Sequence, residues 1–252
     1  MCDVCGCGDP RKITIDVHAS LLSENDHEAA HLREHFASKR VLALNLMGSP
    51  GSGKTALVEA IAGWLSTPRA RPPLRLAAVS GDLATSLDAE RLARAGVPSA
   101  AITTGSACHL DASMVHHALH GPLDAAVRDC DVFFIENVGN LVCPAIYDLG
   151  EAARVVVLSV TEGVDKPLKY PVMFRRADLV VFTKTDLLPH LPGVSLGELH
   201  ANLARVMPAP RALEVSATSG AGVGELVAWL EALRDARCGR AAEVHQPGPE
   251  PG

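Results

Sequence analysis

Aromatic residues are scarce in this chain, and long apolar runs and basic blocks are missing from it. Aromatics make up 4% of 252 residues, so Ala, Val and Leu must fill the core that a hydrophobic content of 48% provides. No run is long enough to span a membrane, and the first residues lack the apolar region of a secretion signal. The net charge of −6 comes without a sustained basic block, which disfavours nucleic-acid binding. We therefore expect a cytoplasmic protein.

Thiols stay reduced in the cytoplasm, so the seven cysteines indicate ligands or core thiols rather than disulfides. Three of them, Cys2, Cys5 and Cys7, lie in residues 1–12, which we expect to be flexible. Gly6 permits the tight turn that would bring the three thiolates to one ion, with a backbone or α-amino nitrogen as fourth ligand. Planar geometry would suit Ni²⁺ and tetrahedral geometry Zn²⁺. The alternative is a disordered tail with incidental thiols.

Short apolar runs then alternate with helical patterns, which predicts an α/β fold. Runs without polar alternation indicate strands buried on both faces, and βα repetition predicts a doubly wound, mostly parallel sheet of about seven strands with helices on both faces. The runs are Val41–Met47, Leu74–Ser80, Ala100–Ile102, Val132–Glu136, Val155–Val160, Leu179–Thr183 and Ala212–Ser216. Helices are expected near residues 54–66, 85–95, 110–129, 166–176, 197–206 and 222–237. We expect a polar helix over residues 13–38 that leads into one domain, which spans residues 39–238. Residues 239–252 are expected to form a disordered tail.

A phosphate-binding loop joins the first strand to the first helix of that domain. Gly48-x4-Gly53-Lys54-Thr55 has the spacing and the strand–helix context that this motif requires. Lys54 would contact the β- and γ-phosphates, and the Thr55 hydroxyl would bind Mg²⁺. Backbone N–H groups would cradle the phosphates. The predicted nucleotide-binding residues of the loop are Gly48, Ser49, Gly51, Ser52, Gly53, Lys54, Thr55 and Ala56.

Two acidic residues end strands at the edge where ligands of such sheets bind. Asp82 is a candidate water-mediated Mg²⁺ ligand, with an N-cap of the next helix as the alternative. Glu136 ends the run Val132–Glu136, where Walker-B motifs usually have Asp, and Glu136-Asn-Val-Gly139 resembles a D-x-x-G switch. Glu136 would orient the attacking water or a Mg²⁺-bound water, and the Gly139 N–H would contact the γ-phosphate. A buried structural Glu136 is the alternative. With Lys54 and Thr55, these acids form the predicted catalytic set.

Guanine is the favoured base. Asp186 and Lys184 have N-K-x-D spacing: the carboxylate would accept two hydrogen bonds from guanine and the lysine stem would pack on the base. Thr183 replaces the usual Asn, which places one loop-tethering contact in doubt. Ser216-Ala217 resembles the S-A-x loop, where the Ala217 N–H would bind guanine O6. These features favour GTP over ATP.

Other thiols and histidines are less specific. Cys108-His109 follows the short third strand, and Cys143 lies four residues after Gly139. A lone Cys-His pair is more often structural, and further ligands would have to come from Cys143, water or a second subunit. His27, His31 and His35 recur on one helix face, where a solvated polar surface is favoured over transient metal binding. His116, His117 and His120 are expected at the surface, and Cys130 and Cys238 as ordinary thiols.

Together these residues resemble the HypB family, GTPases that help to insert nickel into [NiFe]-hydrogenase. The resemblance covers residues 41–237 and includes the N-terminal motif Cys2-Asp-Val-Cys5-Gly-Cys7, similar to the family's nickel motif. Its distinctive strings are Ser49-Pro-Gly-Ser-Gly-Lys-Thr55, Cys108-His-Leu-Asp-Ala112, Ile135-Glu-Asn-Val-Gly-Asn-Leu-Val-Cys-Pro144, Leu158-Ser-Val-Thr-Glu-Gly163 and Asp165-Lys-Pro-Leu-Lys-Tyr-Pro171.

The resemblance implies a SIMIBI-class P-loop GTPase with slow GTP hydrolysis and a homodimer promoted by GTP and metal. It implies Ni²⁺ at the N-terminal cysteines, and Ni²⁺ or Zn²⁺ held between subunits by Cys108, His109 and Cys143. The implied partners are a HypA-type zinc accessory protein, the hydrogenase large subunit and, in some organisms, a SlyD-type prolyl isomerase. Thr183 departs from the family's Asn. The sparse histidines do not support bulk nickel storage.

Two other functions remain open. A GTPase of the urease type would serve another nickel enzyme, but that group lacks the N-terminal cysteines and the Cys108-His109 pair. A metal storage or sensor module with a regulatory P-loop would bind nickel tightly without GTP turnover.

Overall fold

The computed structural model describes residues 10–68, 72–105, 107–121 and 123–239, with side chains from residue 22 onward. Its strands are β1 Leu42–Met47, β2 Leu76–Asp82, β3 Ser99–Thr103, β4 Val132–Glu136, β5 Ala153–Ser159, β6 Leu179–Thr183 and β7 Ala212–Glu214. Its α-helices are α1 Pro10–Lys39, α2 Lys54–Leu65, α3 Leu87–Arg94, α4 Ala112–Leu119, α5 Asp124–Asp129, α6 Lys166–Lys169, α7 Pro171–Arg175, α8 Leu196–Ala204 and α9 Val223–Cys238. Short 3-10 helices cover Cys143–Ala145, Val160–Glu162 and Thr185–His190.

The strands of the described region form one parallel sheet in the order β3-β2-β4-β1-β5-β6-β7. Helices cover both faces of the sheet. The central strand β1 is therefore buried on both faces, which explains why its sequence is apolar throughout. Leu42, Leu44 and Leu46 pack with α2 and α9 on one face, whereas Ala43 packs with α1 and α4 on the other. The predicted doubly wound α/β fold is confirmed. Its parallel strands bring the ends of β1, β2, β4 and β6 to one edge.

Two of the expected helices are interrupted. The helix expected over residues 110–129 is two helices, α4 and α5, and the sequence between them contains Gly121-Pro122. The helix expected over 166–176 divides into α6 and α7 at Tyr170, because Pro171 has no N–H to continue the first helix. Strands β4 and β6 have the predicted bounds, and the ends of the other strands differ from the prediction by at most two residues.

Helix α1 begins at Pro10, three residues earlier than expected, and the polar segment does form a helix that leads into the first strand. Ala29, Leu32 and Phe36 are buried against α4 and the sheet. None of the helices in the described residues has the length and apolar character needed to cross a membrane. Cys2, Cys5, Cys7 and residues 240–252 lie outside the described residues, so the N-terminal metal motif stays a prediction.

Candidate nucleotide and metal sites

The phosphate-binding loop lies between β1 and α2, and a close contact at Gly48 and a left-handed backbone at Gly53 favour glycine there. A Cβ on Gly48 would lie 2.3 Å from the Val157 carbonyl oxygen, and Gly53 caps α2 at a φ of +98°. Lys54 is 7% exposed, and its Nζ donates to the carbonyl oxygens of Gly48 and Ser49, both at 3.3 Å. Burial lowers the pKa of this ammonium group. The loop carbonyls therefore hold the Lys54 ammonium group in place, and the phosphate oxygens of a bound nucleotide would take over these hydrogen bonds.

Glu136 faces the start of α2 because β4 pairs with β1 in a register that aligns Leu46 with Glu136. The Thr55 hydroxyl donates to Glu136 Oε1 at 2.7 Å. The second oxygen, Oε2, is buried without a hydrogen-bond partner among the described residues, and burial raises the pKa of the carboxyl group. A purely structural carboxylate would have its oxygens satisfied. A hydroxyl beside a carboxylate with an unused oxygen fits Mg²⁺, which prefers hard oxygen ligands.

Asp82 lies at the end of β2, on the same cleft. Its Oδ1 accepts from the Ala84 backbone N–H at 3.1 Å, which lowers the pKa of the carboxyl group, and its Oδ2 accepts from the Thr85 hydroxyl at 3.0 Å. Helix α3 begins at Leu87 with Ser86 in the N-cap position, so Asp82 does not cap it.

The cleft has a volume of about 420 Å³ and is lined by the loop, Asp82, Glu136 and Gly139. Asp88 and Arg91 of α3 also line it, and Arg91 forms ion pairs with Glu59 and Asp88. Nothing in the sequence pattern singled out Asp88 or Arg91, because charged positions on an amphipathic helix are ordinary.

The proposed base-binding loops reach the phosphate loop from β6 and β7. The Thr183 hydroxyl donates to the Ser52 carbonyl oxygen at 2.6 Å, and Lys184 Nζ donates to the Gly51 carbonyl oxygen at 2.7 Å. The Ser216 hydroxyl donates to Asp186 Oδ1 at 2.6 Å, which joins the two loops. Thr183 thus makes a tethering contact that the absence of Asn had placed in doubt. Ala217 follows Ser216 in this loop.

Cys108, His109 and Cys143 come together on two loops at the same edge. The Sγ atoms of Cys108 and Cys143 are 3.0 Å apart, and one ligand atom from each of the three residues lies within 4.8 Å of the others. The His109 ring stacks on Tyr147 at a centroid distance of 3.9 Å, and burial lowers the pKa of the imidazole. A neutral imidazole beside two thiols is a donor set for a soft or borderline metal ion. No sequence signal identified Tyr147.

The segment that runs from Glu136 to Cys143, the switch segment, connects the two sites. The Asn140 backbone N–H donates to the Gly48 carbonyl oxygen at 3.0 Å, and its side-chain Nδ2 donates to the Cys108 carbonyl oxygen at 3.1 Å. A Cβ on Gly139 would lie 2.8 Å from Pro50 of the phosphate loop. The switch segment therefore contacts both the phosphate loop and the loop that carries Cys108.

Of the other described cysteines, Cys130 is a poor metal ligand. Cys130 is buried, and desolvation raises the pKa of its thiol to about 12, so it remains protonated. Burial also raises the pKa of Cys238, near the end of α9. Only deprotonated thiols bind metal well.

Comparisons with known proteins agree with this geometry. Residues 42–212 match the family model of the CobW/HypB/UreG nucleotide-binding domain. The chain is 50% identical over 217 residues to hydrogenase maturation factor HypB of Rhizobium leguminosarum bv. viciae, an alignment that covers 86% of this chain and 70% of that protein. HypB from Helicobacter pylori in complex with nickel superposes with a TM-score of 0.78 at 37% identity, covering 84% of this chain and 96% of that chain. HypB from Archaeoglobus fulgidus superposes with a TM-score of 0.75 at 38% identity, covering 84% and 100%. The chain belongs to the HypB family of hydrogenase maturation factors, which carry the CobW/HypB/UreG nucleotide-binding domain.

Proposed function

We propose that this chain is a GTP-hydrolysing nickel metallochaperone that delivers Ni²⁺ during [NiFe]-hydrogenase maturation. The observation that carries the proposal is the switch segment, because Glu136 at one end contacts Thr55 and Cys143 at the other lies 3.0 Å from Cys108. One short segment thus belongs both to the phosphate site and to the thiol site.

The nucleotide part of the proposal assigns a task to each polar group of the cleft. Lys54 exchanges its loop carbonyls for the β- and γ-phosphates, and Asp186 accepts hydrogen bonds from guanine. Thr55, Glu136 and, through water, Asp82 would hold Mg²⁺, which when bound neutralises charge on the phosphate oxygens. Glu136 orients the attacking water, and hydrolysis is expected to be slow because the family resemblance implies it.

Nickel is the cargo of the thiol site in this proposal. Two thiolates and an imidazole suit Ni²⁺ and also Zn²⁺, and the HypB from Helicobacter pylori was solved in complex with nickel. When the Gly139 N–H contacts the γ-phosphate, Asn140 shifts with it and changes the position of Cys143 relative to Cys108. Metal affinity then depends on nucleotide state, and by linkage metal must alter nucleotide affinity by the same factor.

A GTP-promoted homodimer fits the exposed surface around the thiols. Val142 is 55% exposed and Ile146 is 44% exposed, on either side of Cys143. Apolar side chains of this size beside an incomplete ligand set favour a second copy of the chain over solvent. The further partners that we propose are a HypA-type zinc accessory protein, the hydrogenase large subunit and a SlyD-type prolyl isomerase. The N-terminal Cys2, Cys5 and Cys7 would form a separate Ni²⁺ site.

The test is an anaerobic Ni²⁺ titration of the Cys2/Cys5/Cys7→Ala variant loaded with GDP or with a non-hydrolysable GTP analogue. Thiolate-to-nickel absorption reports only the Cys108–Cys143 site. We expect its affinity to differ between the two states by roughly 5- to 150-fold. The same variant with Cys108→Ser and Cys143→Ser is the control and should give no thiolate absorption.

Equal nickel affinity in both states would contradict the coupling. Tight nickel binding without any GTP turnover would instead favour the storage or sensor function.

A further inference from the structure

Two helices carry histidines that neither the nucleotide cleft nor the thiol site uses. Helix α1 has His27, His31 and His35, and α4 with its C-cap has His116 and His120. Taken separately, each series is typical of a solvated helix face. The packing of α1 on α4 brings them together: the His35 and His120 ring centroids lie 5.1 Å apart and those of His116 and His120 4.5 Å apart. The sequence alone did not predict this juxtaposition.

Packing below the histidines fixes the position of α1. The Asn25 side-chain oxygen accepts from the Ala112 backbone N–H at 2.9 Å, at the start of α4. Ala29 and Leu32 are 0% and 2% exposed and pack with Val115 of α4. The apolar side of α1 is therefore held against the domain, and the helix face next to it is presented in a defined orientation.

That face carries a compact set of metal-binding donors. His27 and His31 are separated by four residues, a spacing that brings both imidazoles to one helix face, and their ring centroids lie 4.5 Å apart. One ligand atom each from His27, Glu28 and His31 lies within 4.8 Å of the other two. His116 Nδ1 lies 3.0 Å from Glu28 Oε2, and such an outer contact orients a metal-binding carboxylate.

We infer that His27, Glu28 and His31 form a further metal site, which binds a divalent borderline cation such as Ni²⁺ through two imidazoles and one carboxylate. Water would complete the coordination, because the His27 and His31 side chains are exposed. Imidazole suits Ni²⁺, Zn²⁺ and Cu²⁺, whereas a site without thiolates holds them less firmly than Cys108 and Cys143 would. Such a site exchanges metal more readily than the thiol site.

Two of the three proposed ligands, His27 and Glu28, line a cleft that they share with His109 of the thiol site. This cleft of about 580 Å³ is lined by Glu24, His27 and Glu28 on one side and by His109 and Tyr147 on the other. A cation released from His27 enters the cleft that reaches His109. The site is thus placed to load the thiol site with metal, a role that rests on the proposed function, whereas metal binding by itself does not.

Equilibrium dialysis of the full chain against Ni²⁺ tests the binding site. His27→Ala/His31→Ala should lose one equivalent of nickel, with the thiolate-to-nickel absorption at saturation unchanged. The matched control, His190→Ala/His200→Ala, removes two imidazoles elsewhere and should lose none. Glu28→Gln, which removes the charge and keeps the side-chain shape, should weaken the same equivalent. Unchanged nickel stoichiometry in His27→Ala/His31→Ala, with circular dichroism showing a folded protein, would overturn the site.

The loading role has its own readout. The rate is measured in the Cys2/Cys5/Cys7→Ala background, where thiolate absorption reports only the Cys108–Cys143 site. On rapid mixing with limiting Ni²⁺, this absorption should appear several-fold more slowly with His27→Ala/His31→Ala than with the control pair, and reach the same final value. If His27→Ala/His31→Ala loses one equivalent of nickel but thiolate absorption appears at an unchanged rate, the metal site is supported and the loading role is overturned. Neither readout uses nucleotide, so failure of the nucleotide coupling would be seen separately.

Discussion

The nucleotide cleft and the thiol site lie at one edge of the sheet, but they are built in opposite ways. Lys54 is 7% exposed and Glu136 3% exposed, and both are held by strands and by a helix N-terminus. Cys108 is exposed, and its contacts come from loops. Catalytic groups gain from being positioned before the substrate arrives, whereas a cargo site has to admit and release its ion. The difference in burial is therefore the one that the two proposed tasks require.

The largest expected effect is on catalysis in the buried nucleotide cleft. Glu136→Gln should lower the rate of GTP hydrolysis by about 100-fold or more, because an amide cannot replace the charge that orients water and Mg²⁺. Nucleotide affinity should change much less, which single-turnover hydrolysis and GDP titration can separate. Normal hydrolysis by this variant would remove Glu136 from the catalytic set.

Gly139→Ala should disturb the contact between the switch segment and the phosphate loop. Its Cβ would lie 2.8 Å from Pro50, and overpacking of this kind costs about 1–3 kcal/mol in the free energy of unfolding. Gly63→Ala is the matched control, since its Cβ meets nothing within 4 Å. In α2 that change should be stabilising, by about 0.5–1 kcal/mol. Equal unfolding curves for the two variants would show that the two loops are not in tight contact.

Thr183→Val tests the tether between the base-binding loop and the phosphate loop. It keeps the shape and removes the hydroxyl that donates to Ser52, a hydrogen bond worth about 1 kcal/mol. We expect GDP affinity to fall roughly fivefold by calorimetry, with Thr183→Ser close to the natural protein. If Thr183→Val bound GDP as tightly as the natural protein, the hydroxyl would have no role in holding the loop.

The pH dependence of stability should also report the buried carboxylate. Burial raises the folded-state pKa of Glu136, so its contribution to stability is present below the usual carboxyl range and is lost as pH rises through the folded pKa. Without nucleotide and Mg²⁺, Glu136→Gln should therefore melt a few degrees higher than the natural protein at neutral pH. That difference should vanish in acid, and a constant difference across pH would contradict the assignment.

The smallest stability effect is expected at the thiols. Cys108→Ser/Cys143→Ser should abolish thiolate-bound nickel at this site but change the free energy of unfolding by less than about 0.5 kcal/mol, because exposed side chains contribute little packing. Denaturant unfolding without metal measures this directly. A large loss of stability would show that the thiol loops are part of the rigid core, and would remove the contrast with the cleft.

The elements that were predicted well are those whose signal is local. The glycine spacing of residues 48–53 and the apolar runs of β1, β4 and β6 specify a phosphate loop and a parallel sheet, because strand burial and turn geometry depend on neighbouring residues. The breaks between α4 and α5 and between α6 and α7 were missed although proline marks each of them. The sequence predicted α1 as a polar helix but did not predict its contact with the sheet, because Ala29, Leu32 and Phe36 form an apolar stripe too sparse to stand out.

The sequence by itself determined the phosphate loop, the parallel character of the sheet and the residue types available for binding a base or a metal. Only the tertiary structure decided which of them meet. Cys108 and Cys143 are 35 residues apart in the chain, yet their sulfur atoms lie 3.0 Å apart, and His116 lies 88 residues from Glu28 but 3.0 Å from its carboxylate. These distances depend on how loops and helices pack across one edge and one face of the sheet, and no local pattern in the chain encodes such long-range contacts.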